Sequence, residues 1–308
     1  MDFNLLAIME AQDRKESRTR RLLKLLLKIA VTAVCIWYVS GKIDFTKAGE
    51  ALRKANWLLL ICALIAFVLS KVLAAIRLNM YFRNINIRLP ELTNMKLYWL
   101  GMFYNLFLPG SIGGDAYKVI ILTKKYSIPY KKTTAAVLLD RFSGLLGLGL
   151  IGAVYSIFVL GNTWYTYMIV AGAILAVIAL YLITRFWLKD FISSFLPTLS
   201  LGVLVQASQV VCAYLIIAAL GIKENHTQYI FLFLVSSVVA VLPLTVGGLG
   251  IREVVFVEGS HYLGLLKETS VVISILFYLI TLLTSAVGLF YVFKNPLIDK
   301  ASSKQNTE

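Results

Sequence analysis

Long apolar runs, broken by only a few charges, constrain this chain more than any other feature. Residues 22–39, 57–75, 134–158, 165–183, 199–220 and 271–292 each approach or exceed the roughly 20 residues that a helix needs to cross a bilayer. In hydrocarbon no water satisfies a backbone N–H or C=O, so such segments close their hydrogen bonds within themselves as helices. The expectation is an all-α integral membrane protein with about six spanning helices. Composition agrees. The chain has 308 residues, 59% hydrophobic and 15% charged, whereas a soluble domain carries about a quarter of its residues as charge. A soluble enzyme, a disordered chain and a disulfide scaffold are excluded.

The reactive side chains form no recognisable set. Cys35, Cys62 and Cys212 are isolated within apolar runs, and no pair has metal-ligand spacing. His226 and His261 lie far apart in polar stretches and read as surface residues. There is no P-loop, HExxH or Ser-His-Asp set. We therefore expect no catalytic residue, no metal and no cofactor. The net charge of +14 is explained by basic loops facing anionic lipid, not by nucleic acid.

Those charges thread the chain. Two further apolar stretches, 92–108 and 229–242, run into Pro and then Gly-Gly, and read as broken half-helices that return to the side they entered from. With the N terminus inside, 20 of the 30 Lys and Arg fall on inner segments and 7 on outer loops, with Lys28, Lys71 and Arg141 inside spans. This count places Arg77 in an inner loop. The split follows the positive-inside rule. It predicts a multi-pass protein of the cell (inner or plasma) membrane, with both termini cytoplasmic. The expected organisation is a basic cytoplasmic segment 1–21, a transmembrane domain 22–295 and a cytoplasmic tail 296–308. The first apolar run reads as a retained anchor, because no small-residue cleavage site follows it.

The most informative pattern is internal. Leu108-Pro-Gly-Ser-Ile-Gly-Gly114 aligns without a gap on Leu242-Pro-Leu-Thr-Val-Gly-Gly248, at an offset of 134 residues. Four positions on, Lys118 aligns with Arg252. On the charge-derived threading the two copies enter from opposite sides, which makes an inverted repeat of two re-entrant broken-helix hairpins. Such architectures place substrate sites where the broken helices meet. Pro109 and Pro243 end the incoming half-helix. Gly113, Gly114, Gly247, Gly248 and Gly250 permit a tight reversal at positive φ, and Ser111 and Thr245 can satisfy freed backbone groups. The outgoing half-helix turns its free N–H groups inward, which favours an anion. Lys118 and Arg252 add full charge one turn later. The competing reading is a bare hairpin with interfacial anchors.

Other ionisable residues sit in the apolar body. Asp115 follows Gly114 and is spaced i, i+3 from Lys118. Asp140 and Arg141 are sequence neighbours on different helix faces, so each is expected to find its partner on another helix. Arg252-Glu253 follows the second glycine loop. Asn105, one turn before the first Pro, is a candidate cap or cavity residue. Lys71 and Lys28 read as snorkelling cations near span ends.

At these residues the chain resembles a known family. The stretch Asn105 to Lys118, then Leu139-Asp140-Arg141, then Pro243 to Glu253 looks like the transmembrane region of lysylphosphatidylglycerol synthases, also described as the flippase-like domain family. The similarity spans about residues 20–295, with the three motifs in order. The resemblance implies a lipid-translocating domain whose partner is a membrane lipid with a phosphate head group. In the two-part synthases a separate soluble domain transfers the amino acid; this sequence shows no such domain, so lysyl transfer by this chain is not implied. Stand-alone relatives occur with glycan assembly, so the further partner implied is a synthase or glycosyltransferase. The alternative function is a subunit that presents lipid to such an enzyme without moving it.

Overall fold

The structure, a computed structural model, describes residues 26, 29–30, 33–41, 44–107, 113–242, 245 and 248–293. Most of the first expected span, 22–39, lies outside these, although residues 33–40 are helical. Pro109, Gly110, Ser111, Pro243 and Gly247 also lie outside the described residues, as do the terminal segments 1–21 and 296–308.

Helices make up the described structure. A short amphipathic helix α1 (Phe45–Arg53) leads to α2 (Trp57–Asn84). Asn56 starts α2, its side chain accepting the N–H of Leu58 at 3.0 Å. Next come two short helices, α3 (Glu91–Phe107) and α4 (Gly113–Tyr126), and then the 31-residue α5 (Tyr130–Leu160) behind Pro129. Helix α6 (Trp164–Trp187) follows. A 3₁₀ turn (Lys189–Ser194) leads into α7 (Phe195–Ala219). The chain then repeats itself with short α8 (His226–Val241), short α9 (Ile251–Tyr262) and long α10 (Lys267–Ala286), ending in α11 (Leu289–Phe293). Among the described residues, five segments are long and apolar enough to cross a membrane: Trp57–Asn84, Tyr130–Leu160, Trp164–Trp187, Lys189–Ala219 and Lys267–Phe293. They match the second to sixth expected spans. The protein is an all-α membrane protein.

A boundary difference in α2 bears on the site. The apolar run weakens after Ala75, but the helix continues for nine residues to Asn84. Arg77 is therefore buried inside α2 and is not an inner-loop charge. Its cost is offset by a tertiary partner, which periodicity does not reveal.

The 134-residue offset extends from a motif to the whole helix order. Long α2, short α3, short α4 and long α5 map onto α7, α8, α9 and α10. The packing repeats too: α2 on α3 matches α7 on α8, α3 on α4 matches α8 on α9, α4 on α5 matches α9 on α10, and α2 on α5 matches α7 on α10. The two halves meet most extensively along α2 and α7, and those equivalent helices run antiparallel. The N–H of Asn56, before α2, donates to Ala219 O at the end of α7 (2.8 Å). At the other end, Tyr81 donates to Thr198 (2.8 Å) and Asn84 bonds Ser194. An antiparallel relation of equivalent helices is what an inverted repeat requires. Helix α6, the odd connector, packs on α5 and the 3₁₀ turn. It exposes apolar side chains such as Leu175 and Phe186 along its length, and aromatics Trp164, Tyr165 and Trp187 at its ends, as a lipid-facing helix does.

The core beneath this arrangement joins the halves. Phe67 of α2 and Phe233 of α8 both pack edge-on against Phe277 of α10, with centroids 5.4 and 4.6 Å apart. Such pairs add about 0.5–1.5 kcal/mol each beyond burial.

Candidate functional site

Where the two halves converge, an open cavity of about 460 Å³ is lined by charged, polar and apolar groups. Lys71 and Arg77 of α2, Tyr98 and Asn105 of α3, and Arg141 of α5 come from the first half; Gln206 and Gln209 of α7, with Thr245 and Gly248, come from the second. The cavity is built by close helix approach. A Cβ on Gly202 would lie 2.5 Å from Ser143 O, and one on Gly147 would lie 2.5 Å from Gly202 O. Only glycine lets α5 and α7 cross this tightly. In the same place Gly144 lies under the Arg77 guanidinium, where a Cβ would be 3.1 Å from Nη1.

Arg77 Nε donates to Asp140 Oδ1 at 2.8 Å, joining α2 to α5 with both side chains buried. Its Nη1 has no hydrogen-bond partner among the described residues. Gln206 Nε2 donates to Gly144 O at 3.1 Å and closes the adjoining wall.

A second carboxylate organises the first hairpin. Asp115, at the third position of α4, accepts Lys118 Nζ at 3.2 Å on one oxygen and Arg141 Nε on the other. The expectation that Asp140 and Arg141 partner other helices therefore holds: one reaches α2 and the other α4. Asn105 accepts the Gly114 N–H at 2.9 Å and donates weakly to Asp115 at 3.4 Å. It caps the half-helix and lines the cavity at once. Lys118 Nζ also lies 4.8 Å from the centre of the Tyr98 ring.

The second hairpin is organised differently. Glu253, third in α9, accepts the Gly250 N–H at 2.7 Å, one arm of a capping box, and the Ser274 hydroxyl at 2.7 Å. Arg252 donates to Ser237 at 3.4 Å and stands 5.1 Å over the Phe277 ring. Lys71 stands 4.4 Å over Phe67. Since those two rings touch, the aromatic core holds one cation from each half. Gly248, on the cavity wall, would bring a Cβ to 3.7 Å from Arg252 Nε.

Two expectations need correction. Gly248 and Gly250 do sit at φ +82° and +85°, but Gly114 is inside α4 with no positive φ. Its glycine is required by contact: a Cβ there would fall 2.0 Å from Gly101 O, so α3 and α4 touch backbone to backbone. Second, the N–H groups of Gly114 and Gly250 are occupied by Asn105 and Glu253. Attraction for an anion therefore rests on side-chain cations more than on these two helix ends.

Of the sequence-derived site residues, Asn105, Arg141, Thr245 and Gly248 line the cavity. Gly114, Asp115, Lys118, Asp140 and Arg252 lie in the shell that bonds to or supports the lining residues, and Gly113 opens α4. Gly250 and Glu253 cap α9. Lining residues that the sequence reading missed are Lys71, Arg77, Tyr98, Gln206 and Gln209. Gln206 and Gln209, polar and spaced i, i+3 in an apolar run, were the legible signal for one helix face.

A larger groove of about 930 Å³ lies between α5 and α6, lined almost wholly by apolar side chains including Leu138, Phe142 and Leu146. Leu145 lines both this groove and the cationic cavity.

Two matching sets of helices, with equivalent members antiparallel, surround a charged cavity and define an all-α membrane protein with an internal repeat. Residues 25–288 match the family described as the lysylphosphatidylglycerol synthase TM region, and the chain belongs to that family. It is also similar to a UPF0104 membrane protein of Pyrococcus horikoshii, at 21% identity over 92% of this chain and 100% of that protein. A UPF0104 membrane protein of Archaeoglobus fulgidus is 28% identical over 33% of this chain and 30% of its own length.

Proposed function

We propose that this protein is a lipid translocase of the cell membrane, with both termini cytoplasmic, that passes a phosphate-bearing head group through the cavity between its two hairpins. The observation that carries this reading is the junction at Leu145, where a cationic cavity adjoins a long apolar groove. That pairing has the shape and polarity of an amphiphile. The head would lie against Lys71, Arg77 and Arg141, and the chains would stay in the groove between α5 and α6, level with the surrounding lipid. Arg252, Lys118 and Thr245 extend the anion-binding surface, while Asp115 and Asp140 hold cations in position and Glu253 caps α9 next to Arg252. Cations in a low-dielectric wall are worth far more to a phosphate than the same groups in water. A synthase or glycosyltransferase acting on the same lipid is the partner this reading proposes.

The test is lipid movement in liposomes that contain only this protein, followed with labelled lipids and a leaflet-selective quencher. Movement of a phosphate-headed lipid is expected, with loss in Leu145→Trp, which plugs the junction, and in Arg252→Ala. If a folded protein moves none of the lipids tried, the reading fails in favour of a subunit that presents lipid to a separate enzyme. Wild-type movement in Leu145→Trp would refute the route.

A further inference from the structure

The charge ledger of the site is not balanced. Five cationic side chains surround the cavity and its supporting shell: Lys71, Arg77, Lys118, Arg141 and Arg252. Among the described residues, three carboxylates lie with them: Asp115, Asp140 and Glu253. Asp115 is shared by Lys118 and Arg141, and Asp140 is matched by Arg77. Glu253 spends one oxygen on the Gly250 N–H and the other on the Ser274 hydroxyl. The segments joining the half-helices, 108–112 and 242–250, contain no Asp or Glu in the sequence. Around the described site, therefore, two positive charges are in surplus.

Such a surplus is costly at membrane depth, because neither lipid nor protein solvates it as water does. Lys71 and Arg252 reduce the cost by lying over Phe67 and Phe277, and Arg77 keeps Nη1 unmatched beside the cavity. A site in this state gains by admitting negative charge and loses by admitting positive charge.

We infer that the site selects a lipid whose phosphate head group has a net negative charge, and rejects the aminoacylated form of the same lipid. This deepens the translocase reading and rests on it. An unmodified phosphatidylglycerol head carries one negative charge and a phosphate monoester head carries up to two; both reduce the surplus. A lysyl ester of phosphatidylglycerol adds two ammonium groups to one phosphate and makes the surplus larger. Among the described residues of the site, the carboxylates that its amines would meet are already engaged. The chain thus departs in substrate charge from the lipid in its family's description.

Binding and movement separate the inference from the reading beneath it. Short-chain phosphatidylglycerol, its lysyl ester and phosphatidic acid are titrated against the detergent-solubilised full chain, with inorganic phosphate and glycerol 3-phosphate as soluble competitors. The same three head groups on long chains are followed in proteoliposomes. Expected are binding of the two anionic lipids about tenfold or more tighter than the lysyl ester, the same order in movement, and weak competition by the soluble phosphates. Lys71→Glu brings the ledger to four against four and should erase the preference. Lys71→Met, which keeps the bulk of the stem, should reduce it if the Glu variant fails to fold. Equal or tighter binding of the lysyl ester overturns the inference while leaving translocation standing. Selective anion binding without movement keeps the inference and removes translocation. Free phosphate binding as tightly as the lipids overturns the assignment to a lipid head.

Discussion

The two halves of this protein share a scaffold and differ in what they mount on it. At an offset of 134 residues, Lys71 of the first half corresponds to Val205, Arg77 to Val211, Tyr98 to Leu232, Asn105 to Val239, Asp115 to Leu249, Asp140 to Ser274 and Arg141 to Ile275. Only the cation of the outgoing half-helix, Lys118 or Arg252, is present in both. The first half is held by ion pairs that link α2, α4 and α5. The second is held by apolar packing and one capped carboxylate. An exact repeat would put the same charges twice around one cavity and raise the desolvation cost. Divergence leaves one half as the charged wall and the other as an apolar and amide wall with a single arginine.

This contrast predicts where the protein breaks. The largest effect is expected for Arg77→Leu, which strands Asp140 in the α2–α5 interface. Loss of one partner from a buried pair costs about 3–5 kcal/mol, to be read as reduced thermal or denaturant stability in detergent. Arg77→Leu with Asp140→Leu should recover much of that loss, whereas the counterpart Val211→Leu should change little. If Arg77→Leu alone is as stable as the wild type, the ion pair does not hold the first half together.

An intermediate effect is expected at the seam. Gly202→Ala sets a Cβ against Ser143 O and should cost about 1–3 kcal/mol through overpacking, with cavity binding weakened as α5 and α7 separate. Gly172→Ala in lipid-facing α6, where a Cβ meets nothing within 4 Å, is the control and should be neutral. The smallest effect is expected for Ser274→Ala. It removes one hydrogen bond to Glu253, which keeps its second partner, a loss of about 1 kcal/mol. A larger loss than Arg77→Leu would mean that the second half, not the first, carries the stability of the site.

Much of the fold was legible. Apolar length alone marks the five described spans, because hydrocarbon leaves an unsatisfied backbone no alternative to a helix. The Pro and Gly punctuation separates α3 from α4 and α8 from α9, and the self-match between Leu108 and Leu242 reports the repeat. The site was legible only in part. Asp115, Lys118, Arg141 and Arg252 stand out as charges in apolar surroundings. Lys71 and Arg77 did not: they lie where an apolar run fades into polar sequence, which reads as a helix end.

The sequence by itself determined that this is an all-α membrane protein with two matching hairpins, since hydropathy and motif spacing are local properties of the chain. Only the tertiary structure decided that α2 continues to Asn84, that Asp140 belongs to Arg77 and Asp115 to Arg141, and that Gly114 is set by contact with Gly101 instead of by a turn. Those outcomes depend on which helix faces meet across 13 to 63 residues of chain, and no local pattern records that.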